Sequence, residues 1–276
     1  MKHQFRSELV QSNERNGFYN FAEFQSRKSL FVPYAFEEEL ATDTISSIIE
    51  DTKLHRAELR ITPEETVKDN EENIQMYDRA IEAAIKKAKA AGQKNIPKKE
   101  QFFYTFHFFK KEDEQHHEMQ CRNRISRVAA ERRADAILAL RAENEEIAKR
   151  ICGIDACAAE IRCRPETFGS VFRRLQYYDS SVQTINHSGI PQLMATYHVG
   201  EDNFDIIDSL RAIDEAVLFL SLRSGCRLGH ATYLGIPPKS YYESVHNCIS
   251  MPMQIWLDNS VWMYYFMKEH SITFKL

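Results

Sequence analysis

Residues 196–202 read Thr-Tyr-His-Val-Gly-Glu-Asp, residues 227–231 read Arg-Leu-Gly-His-Ala, and an amphipathic helical pattern lies between them. Two sets of side chains alternate before Gly200 breaks the run: Leu193, Ala195 and Tyr197 on one side, and Met194, Thr196 and His198 on the other. This alternation is typical of a strand. His198 is therefore predicted at the carboxyl end of this strand, where α/β barrels carry their catalytic groups. The region predicts a strand, a helix and a second strand.

The same strand–helix–strand pattern recurs along the chain. Each connection between successive strand patterns contains a helical pattern, which favours a parallel sheet with right-handed crossovers. A complete barrel of this kind has eight strands, so the sequence predicts a partial TIM-like (β/α) barrel, about five of eight strands, with helical extensions. The predicted strands start near Leu54, Phe102, Ile151, Leu193 and Cys226.

Three parts of the chain are expected. Residues 1–52 form a helical or irregular entry segment, residues 53–236 the partial barrel and residues 237–276 a helical extension. Within these parts, Cys121 to Arg150 predicts one amphipathic helix whose apolar stripe includes Ile125 and Val128. The apolar stretch Met251 to Met267 predicts a buried helix, because polar residues interrupt it and it is short for a bilayer that needs about 20 residues.

Two predicted strands carry ionisable side chains whose surroundings the sequence leaves open. Glu58 and Arg60 share one face of the first strand, either as the solvated face of an edge strand or as groups inside the barrel. His107 lies in the aromatic strand Phe102 to Phe109. A lone histidine there is more often a core residue than a ligand, and we give it no metal role.

Composition narrows the class of protein. The 276 residues are 43% hydrophobic, which suffices for one substantial core. A net charge of -4 gives no general case for nucleic-acid binding. The six cysteines form no Cys-x-x-Cys pair, so the sequence indicates reduced thiols and gives no indication of a zinc ribbon or a cytidine-deaminase-type metal site. The polar start of the chain lacks an apolar signal core, so we expect a cytoplasmic protein without a membrane anchor.

The pattern His198-x-Gly200-Glu201, a helix, and then Gly229-His230 resembles the core signature of adenosine deaminases, zinc-dependent members of the amidohydrolase superfamily. Residues 209–216 resemble the helix of that family, and residues 153–160 resemble its preceding strand end. Each motif alone is as typical of an ordinary polar strand end, but their order favours the deaminase interpretation. Within the family, the sequence looks most like the deaminase subunit of RADAR-type anti-phage systems.

The resemblance implies a role for each matched residue. His198 would be a zinc ligand, Glu201 would carry a proton to the purine ring nitrogen, and His230 would handle the water. Ala158 stands where the family has a glycine whose backbone N–H contacts the purine, so its methyl group puts the substrate in question. The implied substrate is a purine nucleoside or nucleotide, and the implied partners are further copies of the chain and an ATPase component.

Other parts of the family pattern are missing. The family's first strand carries His-x-His and its last strand an Asp-Asp context, and neither sequence occurs here. Only His198 matches a family zinc ligand, whereas catalytic zinc normally has at least three. We therefore expect a fragment of a deaminase that alone binds zinc poorly. The alternative is a non-catalytic remnant or oligomer-interaction protein with the deaminase fold.

Overall fold

The computed structural model describes residues 37–50, 54–113, 120–161, 163–177 and 189–273. Its strands are β1 Ala57–Ile61, β2 Phe102–Lys110, β3 Ile151–Ala158, β4 Met194–Val199 and β5 Arg227–His230. Its α-helices are α1 Glu37–Ile49, α2 Val67–Ala90, α3 Arg124–Glu143, α4 Glu145–Ala148, α5 Gly169–Tyr177, α6 Ile206–Phe219, α7 Pro238–Ser244 and α8 Met253–Glu269.

The five strands form one parallel sheet in which spatial order follows chain order, β1-β2-β3-β4-β5. A helix connects each strand to the next, as in a barrel wound in one direction. The prediction of five parallel strands in a partial (β/α) barrel is confirmed, and each strand begins within three residues of its predicted start.

The sheet curls so strongly that its two outer strands touch through their side chains. Arg227 of β5 donates a hydrogen bond to Glu58 of β1 at 2.8 Å. In a flat sheet, four strand spacings would hold these strands about 19 Å apart, further than the two side chains can reach. The concave face is therefore narrow. Glu58 and Arg60 both point into it, with Glu58 largely buried and the Arg60 side chain 36% exposed.

The main core lies on the convex side of the sheet. The even-numbered residues of β2, Tyr104, Phe106 and Phe108, point to this side and are almost fully buried. They pack against apolar residues of α2, α3, α5 and α6. The helices thus cover the convex side, which leaves the opposite side of each strand free to carry polar groups.

A second, smaller cluster joins α1 to α2. Ile45 and Ile49 of α1 pack against Ile81 and Ala84 of α2 and against Phe102 at the start of β2. The helical pattern expected for the later part of the entry segment is present as α1. Residues 1–36 of that segment lie outside the described residues.

A buried arginine links the start of β3 to the segment that precedes β4. Arg141 of α3 has no exposed surface, and its guanidinium donates to the carbonyl oxygens of Ile151 and Pro191, each at 2.6 Å. A charged group is tolerated there because each hydrogen bond replaces one to water. These bonds fix the beginning of β3 relative to the segment that leads into β4.

The single helix predicted over Cys121 to Arg150 is wrong in two respects. The chain breaks at Asn144, whose side chain caps α4 by accepting a hydrogen bond from the Ile147 N–H at 3.2 Å. Ile125 and Val128 of the predicted stripe are exposed, whereas Ala136, Leu140 and Ile147 are buried as predicted. The buried side of α3 also includes Ala130, Ala134 and Ile137.

The prediction of a buried helix over Met251 to Met267 is also wrong in part. The helix forms as α8, but among its large apolar residues only Ile255 is buried, and Trp256 and Tyr264 are mostly exposed. No helix in the described ranges has both the length and the apolar character to cross a membrane.

Replacing Phe106 by Ala tests the assignment of the two faces of β2. We expect a loss of about 3–5 kcal/mol in the free energy of unfolding, since the change empties a buried site. Phe109→Ala is the matched control, because Phe109 is on the concave side of the same strand and 54% exposed; it should cost about 1 kcal/mol or less. Urea unfolding of both variants measures the difference, and equal losses would contradict the assignment.

Candidate active site

A buried carboxylate on β3 organises the concave face. Asp155 has no exposed surface. Its Oδ1 lies 3.0 Å from His198 Nδ1 on β4, and its Oδ2 lies 3.6 Å from His107 Nδ1 on β2 and 3.2 Å from Arg60 Nε on β1. Side chains from three strands therefore meet at one carboxylate.

The two histidines beside Asp155 lie in the same small volume, with ring centroids 5.7 Å apart. Burial lowers the pKa of the His107 imidazole to about 4, although Asp155 opposes this effect. His107 is therefore neutral near pH 7, which leaves a ring nitrogen with a free electron pair. That is the form in which imidazole binds metals.

His107, Asp155 and His198 together form a candidate metal centre. Each offers one ligand atom, and these atoms lie within 4.8 Å of one another. His107 Nε2 is buried without a hydrogen-bond partner, so it can still bind a ligand, whereas Asp155 Oδ2 accepts no hydrogen bond but is paired with the Arg60 guanidinium. Two imidazoles and a carboxylate match the three protein ligands of many catalytic zinc sites. The donor set fits the ion that the sequence resemblance implies.

Beside this cluster, the loop after β4 brings an acid and a base together. Glu201 Oε2 lies 2.7 Å from His230 Nε2 at the end of β5, and the His198 and His230 ring centroids are 5.4 Å apart. Burial raises the pKa of the Glu201 carboxyl and outweighs the opposing effect of His230. Glu201 is thus tuned toward holding a proton, whereas His230 is 44% exposed at the mouth.

The position of Glu201 is fixed by a second glutamate beneath its loop. Glu160 is buried, and its carboxylate accepts hydrogen bonds from the N–H groups of Gly200, Glu201 and Asp202 at 2.9, 2.8 and 3.2 Å. Gly200 has φ +78°, and the turn therefore favours glycine.

A buried lysine completes the support under the loop. Lys110, at the end of β2, donates to the carbonyl oxygen of His198 and lies 4.4 Å from the centre of the Tyr197 ring. Burial lowers the pKa of the Lys110 ammonium group, and the nearby Glu160 carboxylate opposes this. The carboxyl ends of β2 and β4 are thereby held together behind the site.

The absence of a side chain at Gly229 leaves room for the His198 imidazole. The two residues are partners in the β4–β5 register, and a Cβ at Gly229 would lie 3.0 Å from both Cγ and Cδ2 of His198. The imidazole therefore lies directly over the backbone of β5. A side chain at Gly229 would push it away from Asp155.

Ala158 keeps the backbone conformation of a glycine. Its φ is +76°, in the left-handed region that disfavours residues with a Cβ. The methyl group of Ala158 has therefore not moved the backbone out of the region that glycine favours. Ala158 lies at the carboxyl end of β3, at the rim of the site.

The structure brings His198, Glu201 and His230 together at the carboxyl ends of β4 and β5. Ala158 lies at the carboxyl end of β3, two strands away from β5. Neither His107 nor Asp155 is predicted as a metal ligand from the sequence. A signal was present, because His107 and Asp155 each lie on the concave face of a predicted parallel strand. What the sequence lacks is the register, which pairs His107 directly with Asp155.

No family model matches this sequence, and no curated protein matches it. Among solved structures, the chain is similar to adenine deaminase from Arthrobacter aurescens, with 16% sequence identity and a TM-score of 0.46. The similarity covers 83% of this chain and 61% of that one, so this chain spans less than two thirds of that structure. The functional proposal is therefore based on the residues of this chain.

Gly229→Ala should displace the His198 imidazole and break its contact with Asp155, because the added methyl group has no room. We expect shifted His198 ring signals in NMR spectra of the folded protein. Gly235→Ala is the control, since a Cβ there meets no atom within 4 Å. Unchanged His198 signals in Gly229→Ala would show that the imidazole does not lie over this backbone.

Glu160→Gln should loosen the loop that carries Glu201. An amide has one acceptor oxygen where the carboxylate has two, so at least one of the three N–H groups loses its partner, at a cost of about 1–3 kcal/mol. Hydrogen–deuterium exchange of residues 200–202 should become faster. Glu243→Gln, on the exposed side of α7, should leave this exchange unchanged; equal protection in both variants would contradict the assigned role.

Proposed function

We propose that residues 53–236 form the site-bearing part of a metal-dependent hydrolase that deaminates purines. The observation that carries the proposal is the three-donor cluster of His107, Asp155 and His198 next to the Glu201–His230 pair. A metal centre beside an acid–base pair is the set of parts that hydrolytic deamination needs. It also extends the single ligand expected from the sequence to a set of three.

The chemistry consists of adding water to the carbon that bears the amino group and releasing ammonia. A zinc ion held by His107, Asp155 and His198 would supply a Lewis acid that lowers the pKa of water to about 7. Glu201 then donates its proton to the purine ring nitrogen, which its raised pKa favours. His230 would accept one proton from the attacking water and give it to the amino group, which leaves as ammonia. The second proton of the added water returns to Glu201, whose Oε2 lies 2.7 Å from His230 Nε2.

The substrate we propose is adenosine or an adenine nucleotide, which becomes the corresponding inosine compound. This choice follows the sequence resemblance, as does a role in anti-phage defence beside an ATPase component. Ala158 is proposed to contact the purine through its backbone N–H, since it retains the glycine conformation. Its methyl group would then narrow the space for the base.

One contact favours a second candidate function, a protein that keeps the deaminase fold without the reaction. Arg60 Nε lies 3.2 Å from Asp155 Oδ2, so a guanidinium already supplies positive charge where a metal ion would. In this alternative, Arg60 permanently neutralises the carboxylate, and the chain serves as a structural or oligomer-forming subunit.

Zinc binding separates the two candidates. Isothermal titration with zinc should show one site in the wild-type chain, weakened at least about 10-fold in His107→Ala, Asp155→Asn and His198→Ala. His246→Ala is the control, because His246 is exposed and outside the cluster. If Arg60 replaces the metal, the wild type will not bind zinc, whereas Arg60→Met will. Absence of zinc binding in both proteins would overturn the metal proposal.

Catalysis is tested separately, by ammonia release from adenosine, adenine and adenine nucleotides in the zinc-loaded protein. Glu201→Gln should retain zinc and lose roughly 10²-fold or more in turnover, because the amide keeps the shape but cannot transfer the proton. His230→Ala should behave alike. Full turnover in either variant would contradict the roles assigned to these residues.

A further inference from the structure

Helix α8 is attached to the rest of the protein by polar contacts. Asp258 pairs with Arg122 at 3.1 Å and with Arg211 at 3.6 Å, and Trp262 Nε1 donates to Asp214 at 2.8 Å. On the same side of the helix, Ile255 and Asn259 are buried. These contacts fix which side of α8 faces α6, and therefore which side faces outward.

The outward side of α8 is apolar. Met253 is 77% exposed, Tyr264 62% and Trp256 56%, and the same side also carries Leu257, Val261 and Tyr265. A surface helix ordinarily places its apolar side against its own domain, whereas α8 has large apolar residues on both sides, with Ile255 and Trp262 facing the protein. Large aromatic and Met side chains on a surface are the composition of a protein–protein interface.

We propose that this outer face of α8 is the interface of a homodimer, in which the α8 helices of two copies pack antiparallel about a twofold axis. The inference is independent of the proposed deaminase activity. A closed dimer requires one patch to match its own copy.

The layout of the face suits self-association. Ser260 lies close to the middle of the helix and has a small side chain that allows two backbones to approach. Met253, Trp256 and Leu257 lie on one side of it and Val261, Tyr264 and Tyr265 on the other. An antiparallel pair places Trp256 of one copy beside Tyr264 of the second copy. These residues carry no charge. Lys268 lies on the same side, one turn beyond Tyr264, but an antiparallel pair places the two Lys268 side chains at opposite ends, so they do not repel each other.

The area of the face also fits a dimer. The three aromatic side chains of the face are 56–62% exposed, which at about 150–250 Å² per aromatic side chain is roughly 300–400 Å². Met253, Leu257 and Val261 bring the face toward the roughly 800 Å² that each partner buries in a standard interface. A membrane surface fits less well, because amphipathic helices that bind membranes have polar faces rich in Lys and Arg. Between Met253 and Glu269, α8 has only Lys268.

Analytical ultracentrifugation of the full chain tests the proposal. The wild type should sediment as a dimer at micromolar concentrations, and Trp256→Gln combined with Tyr264→Gln should weaken the dimer by about 30-fold or more. Leu40→Gln is the matched control, since Leu40 is an exposed apolar residue on α1, and it should leave the dimer intact. Circular dichroism melts confirm that each variant is folded.

A cysteine at the twofold axis gives a second readout that does not depend on weakening the dimer. Ser260→Cys should form an intermolecular disulfide under mild oxidation, above the background set by the exposed Cys121 and Cys248 of the wild type. Leu40→Cys should remain at that background. A wild type that is monomeric throughout, or that sediments with vesicles of anionic lipid through α8, would overturn the proposal, as would a dimer unaffected by the double variant.

Discussion

A carboxylate with no exposed surface is stable only if hydrogen bonds or opposite charges compensate it. Asp155 is such a group, and the side chains around it on the concave face supply this compensation. The compensating groups come from β1, β2 and β4, so one side chain in the middle of the sheet determines where its neighbours point. The contacts with His198 and Arg60 span strands on both sides of β3. The same convergence draws the donors of the candidate metal centre together.

The concave face is ionic where a closed (β/α) barrel would be filled by branched apolar side chains. Glu58 and Arg227 bridge the outer strands, and Arg60 and Asp155 lie between them. The apolar residues are instead concentrated on the convex side, under the helices. Stability and chemistry are thereby divided between the two faces of the same strands, so a change on one face need not disturb the other.

The sequence was sufficient to predict the strands because each is a short alternating or apolar run and each connection between them contains a helical pattern. It also brought His198, Glu201 and His230 to one mouth, since parallel strands end at the same edge. It could not predict the pairing of His107 with Asp155, because this depends on a register that shifts at Tyr104 and Thr105. Nor could it predict the outward apolar side of α8, because periodicity shows that a helix has two sides but not which one the protein covers.

The unpaired edge of β5 is a possible site of aggregation, and its structure limits this risk. In the described part of the chain β5 pairs with β4 alone, so its other edge presents unpaired backbone groups, which are a template for a strand from another molecule. The strand is only 4 residues long, and His230 and Ala231, at φ +64° and +48°, turn the backbone out of the extended form. Arg227 adds a half-exposed charge at the start of the edge. The left-handed turn that brings His230 to Glu201 therefore also limits the length over which a foreign strand could add.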